Sequence, residues 1–266
     1  GDPALPSLLQ RFWDQHGSRS SLMLVLCGSS VSFMEQEVLA HRSPLFGRRT
    51  GQIELLPLTY RDAAGFLPRY PPEQLVPAYG ILGGMPMYQR QFDSSASVAR
   101  NVQRRILQPE ALLYAEPELL LRMELRDPGV YQSVLQAVAD GLTKHNEIAG
   151  RIGKPATSAS PYLATLERLR LLERVAPITS PQGKRSSGRY FIRDPFLRFW
   201  YRFVQPNRSL LELGEAQRVW NQHIGPRLDE YLGAAFEAIC REYVGRYGEE
   251  TLGVLPAGEV GRFWSR

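Results

Sequence analysis

Basic and hydroxyl side chains lie close together in one stretch of the chain and could contact nucleic-acid phosphates. The run PQGKRSSG, residues 181–188, combines turn-forming residues with two adjacent cations, and a third cation follows at once. Ammonium, guanidinium and hydroxyl groups all donate hydrogen bonds to phosphate oxygens. The candidate cations are Lys184, Arg185 and Arg189, and the candidate hydroxyl residues upstream are Thr157, Ser158, Ser160 and Tyr162.

Three short helices and a β hairpin would position these residues. Apolar residues recur at helical spacing in VYQSVLQAVADG, KHNEIAGRIG and PYLATLERLRLLERV. We expect Thr143 to cap the second helix and Ser158 or Ser160 to cap the third, with Pro161 in its first turn. The β-rich runs RVAPITS and GRYFIRD flank the basic tip. Residues 128–204 are therefore predicted to form a winged helix-turn-helix.

Two functions stay open for such a module. In winged helices the third helix enters the major groove of DNA and the wing touches phosphates. Here, however, Arg168 and Arg170 lie late in the third helix, and Glu167 and Glu173 would oppose phosphate. Many winged helices act instead as spacers between proteins. The sequence is therefore compatible with a DNA-binding module and with a protein-interaction module.

The first part of the chain has an α/β pattern. A helix is expected at residues 5–16, a doubly buried strand at 21–30, a short helix at 31–41 and a second strand at 53–58. The first strand ends in the small polar turn Gly28-Ser29-Ser30, at the edge where ligands bind in open α/β sheets. Two strands cannot bury a doubly wound core, so this part is interpreted as the end of an α/β domain.

Helices broken by proline and glycine fill the segment from Tyr60 to Leu125, and a long amphipathic helix begins near residue 228. On this last helix Phe236, Ile239 and Tyr243 are predicted to face inward. The expected fold class is thus mainly α with an α/β remnant.

The composition limits the class of protein and the cellular compartment. The 266 residues carry a net charge of +5, and only three of the 32 basic residues are lysines. Arginine-rich composition suits phosphate binding and suits a GC-rich genome equally. No apolar run approaches a membrane span, and no secretory signal opens the chain. Cys27 and Cys240 are predicted to be buried thiols in a reducing cytoplasm, and the histidines and cysteines show no metal-ligand spacing.

Several motifs in order resemble a known family. LMLVLCGSSVSFMEQEV, SPLFGRRTGQIELLPL, AYGILGGMPMY and GRYFIRDPFLRFWYRFVQPN together resemble archaeal-type P-loop ATPases of the AAA+/STAND kind. Members of that family carry a winged helix and a C-terminal domain that looks like a PD-(D/E)xK nuclease. The resemblance implies four regions: the end of the ATPase core at 1–59, a helical lid at 60–127, the winged helix at 128–204, and a linker with the first nuclease-like helix at 205–266.

The resemblance also implies roles for single residues. Ser29 or Ser30 would be sensor-like groups near the γ-phosphate, although a serine-rich turn at a strand end is the plain alternative. Arg48 and Arg49 would be arginine-finger-like, against the alternative of an exposed basic loop. The glycines of Gly83-Gly84-Met85-Pro86 would allow helices to approach closely. Glu237 would be the carboxylate of the nuclease-like helix, or else an ordinary helix carboxylate.

The sequence lacks two motifs that such ATPases use. It contains no GxxxxGK[ST] phosphate loop and no strand ending in the acidic pair that holds Mg²⁺. We therefore expect ATP and Mg²⁺ as cofactors of the full-length family only, with no cofactor for this chain alone and no hydrolysis of ATP by it. One carboxylate, Glu237, does not suffice for a metal-dependent nuclease, and no metal site is predicted.

Three hypotheses follow. The chain is first interpreted as a fragment of an ATP-binding, DNA-associated ATPase. The alternatives are a non-catalytic winged-helix module that binds DNA or protein, and a part of a nuclease. Expected partners are DNA and a protein partner or a second copy of the chain, and no membrane association is expected.

Overall fold

The computed structural model describes residues 4–28, 34–179, 188–253 and 260–263. Most of these residues are helical, as the sequence predicts, and the sheet among them has two strands. The contacts divide the chain into two units. The first unit comprises residues 1–56 and 121–126, and the second comprises residues 57–120 and 127–266.

The first unit contains helix α1, a 3-10 turn and a π-helix. Helix α1 spans Leu5–Gln15, as predicted, with a proline near its start. A 3-10 turn, Gly17–Arg19, follows it, and the π-helix spans Met34–Leu39. The apolar face of α1 is not buried: Leu8 is 56% exposed and Phe12 is 41% exposed.

The two strands expected in the first unit are absent from its described residues. Residues 22–28 and 51–58 have no regular secondary structure. Their apolar side chains are exposed, including Met23 at 84%, Ile53 at 86% and Leu55 at 90%. An extended segment becomes a strand only when a neighbouring strand pairs with its backbone, and the sheet formed by the described residues lies elsewhere. The prediction of buried strands was therefore wrong.

The helical region predicted from Tyr60 to Leu125 is confirmed. Thr59 begins the first helix by accepting a hydrogen bond from the backbone N–H of Asp62 at 3.1 Å, and Ser97 caps a later helix in the same way. The helices are α2 Tyr60–Ala63, α3 Pro72–Leu82, α4 Pro86–Gln89, α5 Val98–Arg105 and α6 Leu112–Glu124, and a 3-10 turn, Ala64–Phe66, follows α2.

Three helices and a hairpin follow, in the predicted order. They are α7 Gly129–Ala139, α8 His145–Arg151, α9 Ala156–Arg168, β1 Leu172–Val175 and β2 Arg189–Ile192. We call residues 129–179 and 188–192 the helix–hairpin region. Its strands are antiparallel, with Leu172 opposite Ile192 and Val175 opposite Arg189. The Tyr190 N–H donates to the Thr143 carbonyl at 2.8 Å, which ties the hairpin to the turn between α7 and α8.

The predicted helix caps in this region were wrong. Helix α8 begins after Lys144, not Thr143, and the Lys144 N–H donates to the Glu147 carboxylate at 3.2 Å. Helix α9 begins after Pro155, so Ser158 and Ser160 lie within the helix. Proline's fixed φ suits that start. Pro161 then lies inside the helix, where the N–H it lacks would have bonded to the carbonyl of Thr157.

The DPFLRFWYRFV motif supplies the largest buried side chains of the second unit. Helix α10, Pro195–Phe199, continues into a π-turn, Trp200–Val204, and five aromatic side chains of the two are almost fully buried. The Trp200 indole N–H donates to the Tyr114 carbonyl at 2.7 Å. Further helices are α11 Arg208–Glu212, α12 Ala216–Val219 and α13 Leu228–Leu252, joined by short 3-10 and π segments.

Helix α13 exists as predicted, and of the three residues predicted to face inward only Ile239 is buried. Phe236 is 54% exposed and Tyr243 is 46% exposed, whereas Ile239 is buried together with Leu232 and Ala235. Gly80 on α3 explains the choice of face, because a Cβ there would lie 2.6 Å from Leu232 and 3.1 Å from Ala235. Both cysteines, Cys27 and Cys240, are exposed, so the prediction of buried thiols was wrong.

Candidate nucleic-acid interface

The start of helix α9 presents a row of small hydroxyl side chains. Thr157, Ser158 and Ser160 are all exposed. The Ser160 hydroxyl donates to the Ala156 carbonyl at 3.1 Å and also lies 3.1 Å from Nε2 of His145. Ser158 does not cap the helix and lies exposed in its first turn, at the end of a helix that attracts anions.

An aromatic pair with a cation borders this row. Tyr162 packs edge-on against Tyr131 of α7, with ring centroids 5.1 Å apart and planes at 70°. The Lys154 ammonium lies 5.6 Å from the centre of the Tyr162 ring. An aromatic face attracts a cation without neutralising it, so the Lys154 ammonium retains its positive charge. The described residues include no carboxylate that forms an ion pair with Lys154.

Arg189 is the first residue of β2 and lies opposite Val175. Lys184 and Arg185, the other two predicted contacts, lie outside the described residues. Near the start of β2, an open cavity of about 470 Å³ is lined by Glu167, Arg168, Arg174, Ala176 and Gly188. The structure thus brings Arg168, at the end of α9, to the same cavity as the strands.

Three other basic groups in or near the region are paired with carboxylates. Arg151 and Arg202 both approach the Asp140 carboxylate, at 3.4 and 3.8 Å, and Lys144 lies 3.7 Å from Glu147. Such exposed pairs contribute little to stability but cancel local charge. Lys154 therefore contributes to the α9 face a positive charge that none of these pairs offsets.

Sequence reasoning missed three members of this face: Tyr131, His145 and Lys154. A signal existed for Lys154, since it is one of three lysines and lies in the turn before α9. Tyr131 and His145 belong to α7 and α8, and they reach α9 only through the packing of the three helices.

The sensor-like and arginine-finger-like residues of the ATPase resemblance belong to the first unit. Arg48 is engaged by Asp14 through two hydrogen bonds of 2.7 Å, from Nε and Nη2. This pairing lowers the pKa of Asp14 and raises the pKa of Arg48. Arg49 is exposed and donates to the Gln52 side chain at 2.5 Å. Ser29 and Ser30 lie outside the described residues.

Glu237, the nuclease-like carboxylate of the resemblance, lies between two guanidinium groups. Its Oε1 is 3.6 Å from Nε of Arg241 and 3.6 Å from Nε of Arg262. Among the described residues no three side chains of the metal-ligating types come together. Within the same residues, no helix combines the length and apolar character that a bilayer crossing requires.

Comparison with known proteins gives two similarities. Residues 200–266 match the DUF234 family, which is described as archaea bacterial proteins of unknown function. Over 265 residues the chain is 31% identical to an uncharacterized protein of Methanocaldococcus jannaschii. That match covers 100% of this chain and 59% of the archaeal relative, so the chain spans well under two thirds of the relative's length. No solved structure is significantly similar to the chain. The chain is thus similar to an archaeal protein that is longer than itself, and its last quarter is similar to the DUF234 family.

Proposed function

We propose that the helix–hairpin region is a winged-helix module that binds duplex DNA through the start of α9 and the hairpin. The observation that carries the proposal is the exposed hydroxyl row at 157–160, bordered by Lys154 over the Tyr162 ring. Small hydroxyl groups at the start of a helix fit against a DNA groove without steric conflict, and Lys154 adds attraction to phosphate.

The hairpin adds a second point of contact in this proposal. Arg189 is the first residue of β2, and the sequence adds two more cations, Lys184 and Arg185, shortly before it. Because α9 carries few groups that distinguish bases, most of the binding energy would come from phosphates. We therefore expect weak preference among DNA sequences and strong dependence on salt.

A charge introduced at the α9 row tests this proposal. Thr157→Glu places a carboxylate where phosphate would lie, and fluorescence anisotropy with a labelled duplex should show at least a tenfold loss of affinity. Gln217→Glu on α12 is the matched control, since it adds the same charge at another exposed site of the second unit. Equal affinity of the two variants would contradict DNA contact by α9.

A protein-interaction role is the second candidate, and the Tyr131–Tyr162 pair favours it. Aromatic side chains at a surface are enriched where proteins bind one another. If Thr157→Glu leaves DNA binding unchanged while Tyr162→Ala abolishes a stable complex with a purified partner, the spacer interpretation replaces the DNA-binding one.

We further propose that the DNA-binding module works within an ATP-dependent protein, as the family resemblance implies. The order of the GSS, GRRT, GGMPMY and DPFLRFWYRF motifs supports this. ATP hydrolysis by the purified relative, measured with and without duplex DNA, is the test. A relative that binds no ATP would refute the ATPase proposal and leave the DNA-binding proposal standing.

A further inference from the structure

Two arginines on one side of α13 share a single carboxylate. Arg241 and Arg262 each place Nε 3.6 Å from the same oxygen of Glu237. The two guanidinium side chains are mostly buried, at 26% and 12% exposure, while Glu237 is 49% exposed. The carboxylate is therefore the most solvent-accessible of the three charged groups.

The pairing leaves both guanidinium groups short of acceptors. A distance of 3.6 Å is an ion pair but exceeds the length of a hydrogen bond. The Nε atoms of Arg241 and Arg262 are buried, and neither donates to any acceptor among the described residues. A buried charged donor without an acceptor is unfavourable, so both groups favour a closer oxygen ligand.

The charged groups that act on Arg262, taken with Arg262 itself, leave a surplus of one positive charge. Arg241, Arg262 and the nearby Arg198 stand against Glu237 and Glu173. Burial lowers the pKa of Arg262, and repulsion by Arg241 lowers it further. The Arg262 guanidinium also lies 4.2 Å from the centre of the Phe191 ring, which shields it from water.

We infer that Arg241 and Arg262 together bind one phosphodiester group of the DNA backbone, with Glu237 moving aside as the phosphate enters. The inference rests on the proposed DNA-binding function. A phosphodiester carries one negative charge, which replaces the charge that Glu237 withdraws, and its two non-bridging oxygens can accept from the two Nε–H groups.

The position of the pair in the fold supports this ligand. Arg262 packs on Phe191 of β2, two residues from Arg189, and its carbonyl accepts from the Ile178 N–H at 2.8 Å beyond the end of β1. The site is therefore attached to the same hairpin that supplies the proposed phosphate contacts. A Mg²⁺ ion bound by Glu237 would meet two guanidinium groups, so the site favours an anion over a metal ion.

Titration with the dimethyl phosphate anion tests the site directly. Side-chain ¹⁵N–¹H resonances of arginine Nε report hydrogen bonding at each guanidinium. We expect saturable shifts at Arg241 and Arg262 and none at Arg246, which pairs with Glu242 on the same helix. Acetate should produce much smaller shifts. No shift with dimethyl phosphate, or equal shifts with acetate, would overturn the phosphodiester assignment.

Duplex binding then separates this inference from the proposed function. Arg241→Gln and Arg262→Gln should each weaken binding and reduce the slope of log K against log salt by about 0.9, the value for one phosphate contact. Arg246→Gln should behave as the unmodified chain, and Glu237→Gln should bind more tightly. If the chain binds duplex but Arg241→Gln matches Arg246→Gln, the inference fails alone. If the chain binds no duplex, the proposed function fails, and the inference fails with it even if dimethyl phosphate binds.

Discussion

Gly83 packs directly against Pro195, so that a Cβ at Gly83 would lie 2.9 Å from the proline Cδ. The glycine has a φ of +66°, a region that L side chains rarely adopt. Beside this contact the Tyr88 and Phe196 rings lie 4.7 Å apart. The GGMPMY and DPFLRFWYRFV motifs therefore meet in the core of the second unit, and the close approach expected of the glycines is present.

The adjacent Gly84 is the most constrained glycine of this contact. A Cβ there would lie 2.0 Å from the Leu58 carbonyl oxygen, which is backbone and cannot rotate away. We predict that Gly84→Ala lowers the free energy of unfolding by about 3 kcal/mol or more, as measured by urea denaturation.

Gly150→Ala is the matched control for that variant. Gly150 lies within α8 with open space around it, so alanine should raise the free energy of unfolding by about 0.5–1 kcal/mol. Similar losses in both variants would contradict the close packing at Gly84.

The hydroxyl of Tyr231 connects three elements. It contacts the carbonyls of Pro195 at 3.0 Å and Gly80 at 3.3 Å, and it accepts from Nε of Arg198 at 3.3 Å. Tyr231→Phe should cost about 1–2 kcal/mol of unfolding free energy because buried acceptors lose their donor. The exposed Tyr243 is the control, and Tyr243→Phe should change stability by less than about 0.5 kcal/mol. Equal changes in unfolding free energy for the two variants would show that the Tyr231 hydroxyl contributes nothing to stability.

Asp194 makes stability depend on pH. Burial raises its pKa to about 6, and the hydrogen bonds from the backbone of Leu197 and Phe196 and the charge of Arg198 offset this only in part. Since the folded state holds the proton more tightly, this group's contribution is present in full below about pH 4 and is lost as the pH rises to about 6.

Asp194→Asn removes that titration and keeps a side chain that can cap α10. Relative to the unmodified chain, the variant should gain on the order of 2 kcal/mol of unfolding free energy between pH 4 and pH 7.5. Urea denaturation at the two pH values measures the difference. A difference that stays constant with pH, or that reverses, would contradict the raised pKa.

Local sequence patterns predicted much of the fold, and the features that they did not predict depend on long-range contacts. Helices α7 to α9 follow from apolar residues at helical spacing, and the hairpin follows from β-rich runs around a turn. The apolar run from Leu22 to Cys27 predicted a strand because it has strand composition, yet composition does not supply the neighbour that a strand needs. Likewise, no local signal shows that Arg262 reaches Glu237 or that Tyr231 reaches Gly80, 151 residues away in sequence.

The two described lysines of the helix–hairpin region provide a matched pair for DNA binding. Lys154 lies over Tyr162, whereas Lys144 is paired with Glu147. Lys154→Gln should weaken duplex binding several-fold, since it removes a cation that forms an ion pair with no carboxylate among the described residues. Lys144→Gln should have a smaller effect. Fluorescence anisotropy at one salt concentration compares them, and a larger loss for Lys144→Gln would place the DNA contact away from the start of α9.

The salt dependence of duplex binding by the unmodified chain tests the central proposal most directly. Binding that depends on several phosphate contacts gives a straight line of log K against log salt, with a slope of about −0.9 for each contact. We predict a slope of about −3 or steeper, from Lys154, the hairpin cations and the Arg241–Arg262 pair. No binding at 50 mM salt, or an affinity that salt does not change, would contradict DNA binding by this protein.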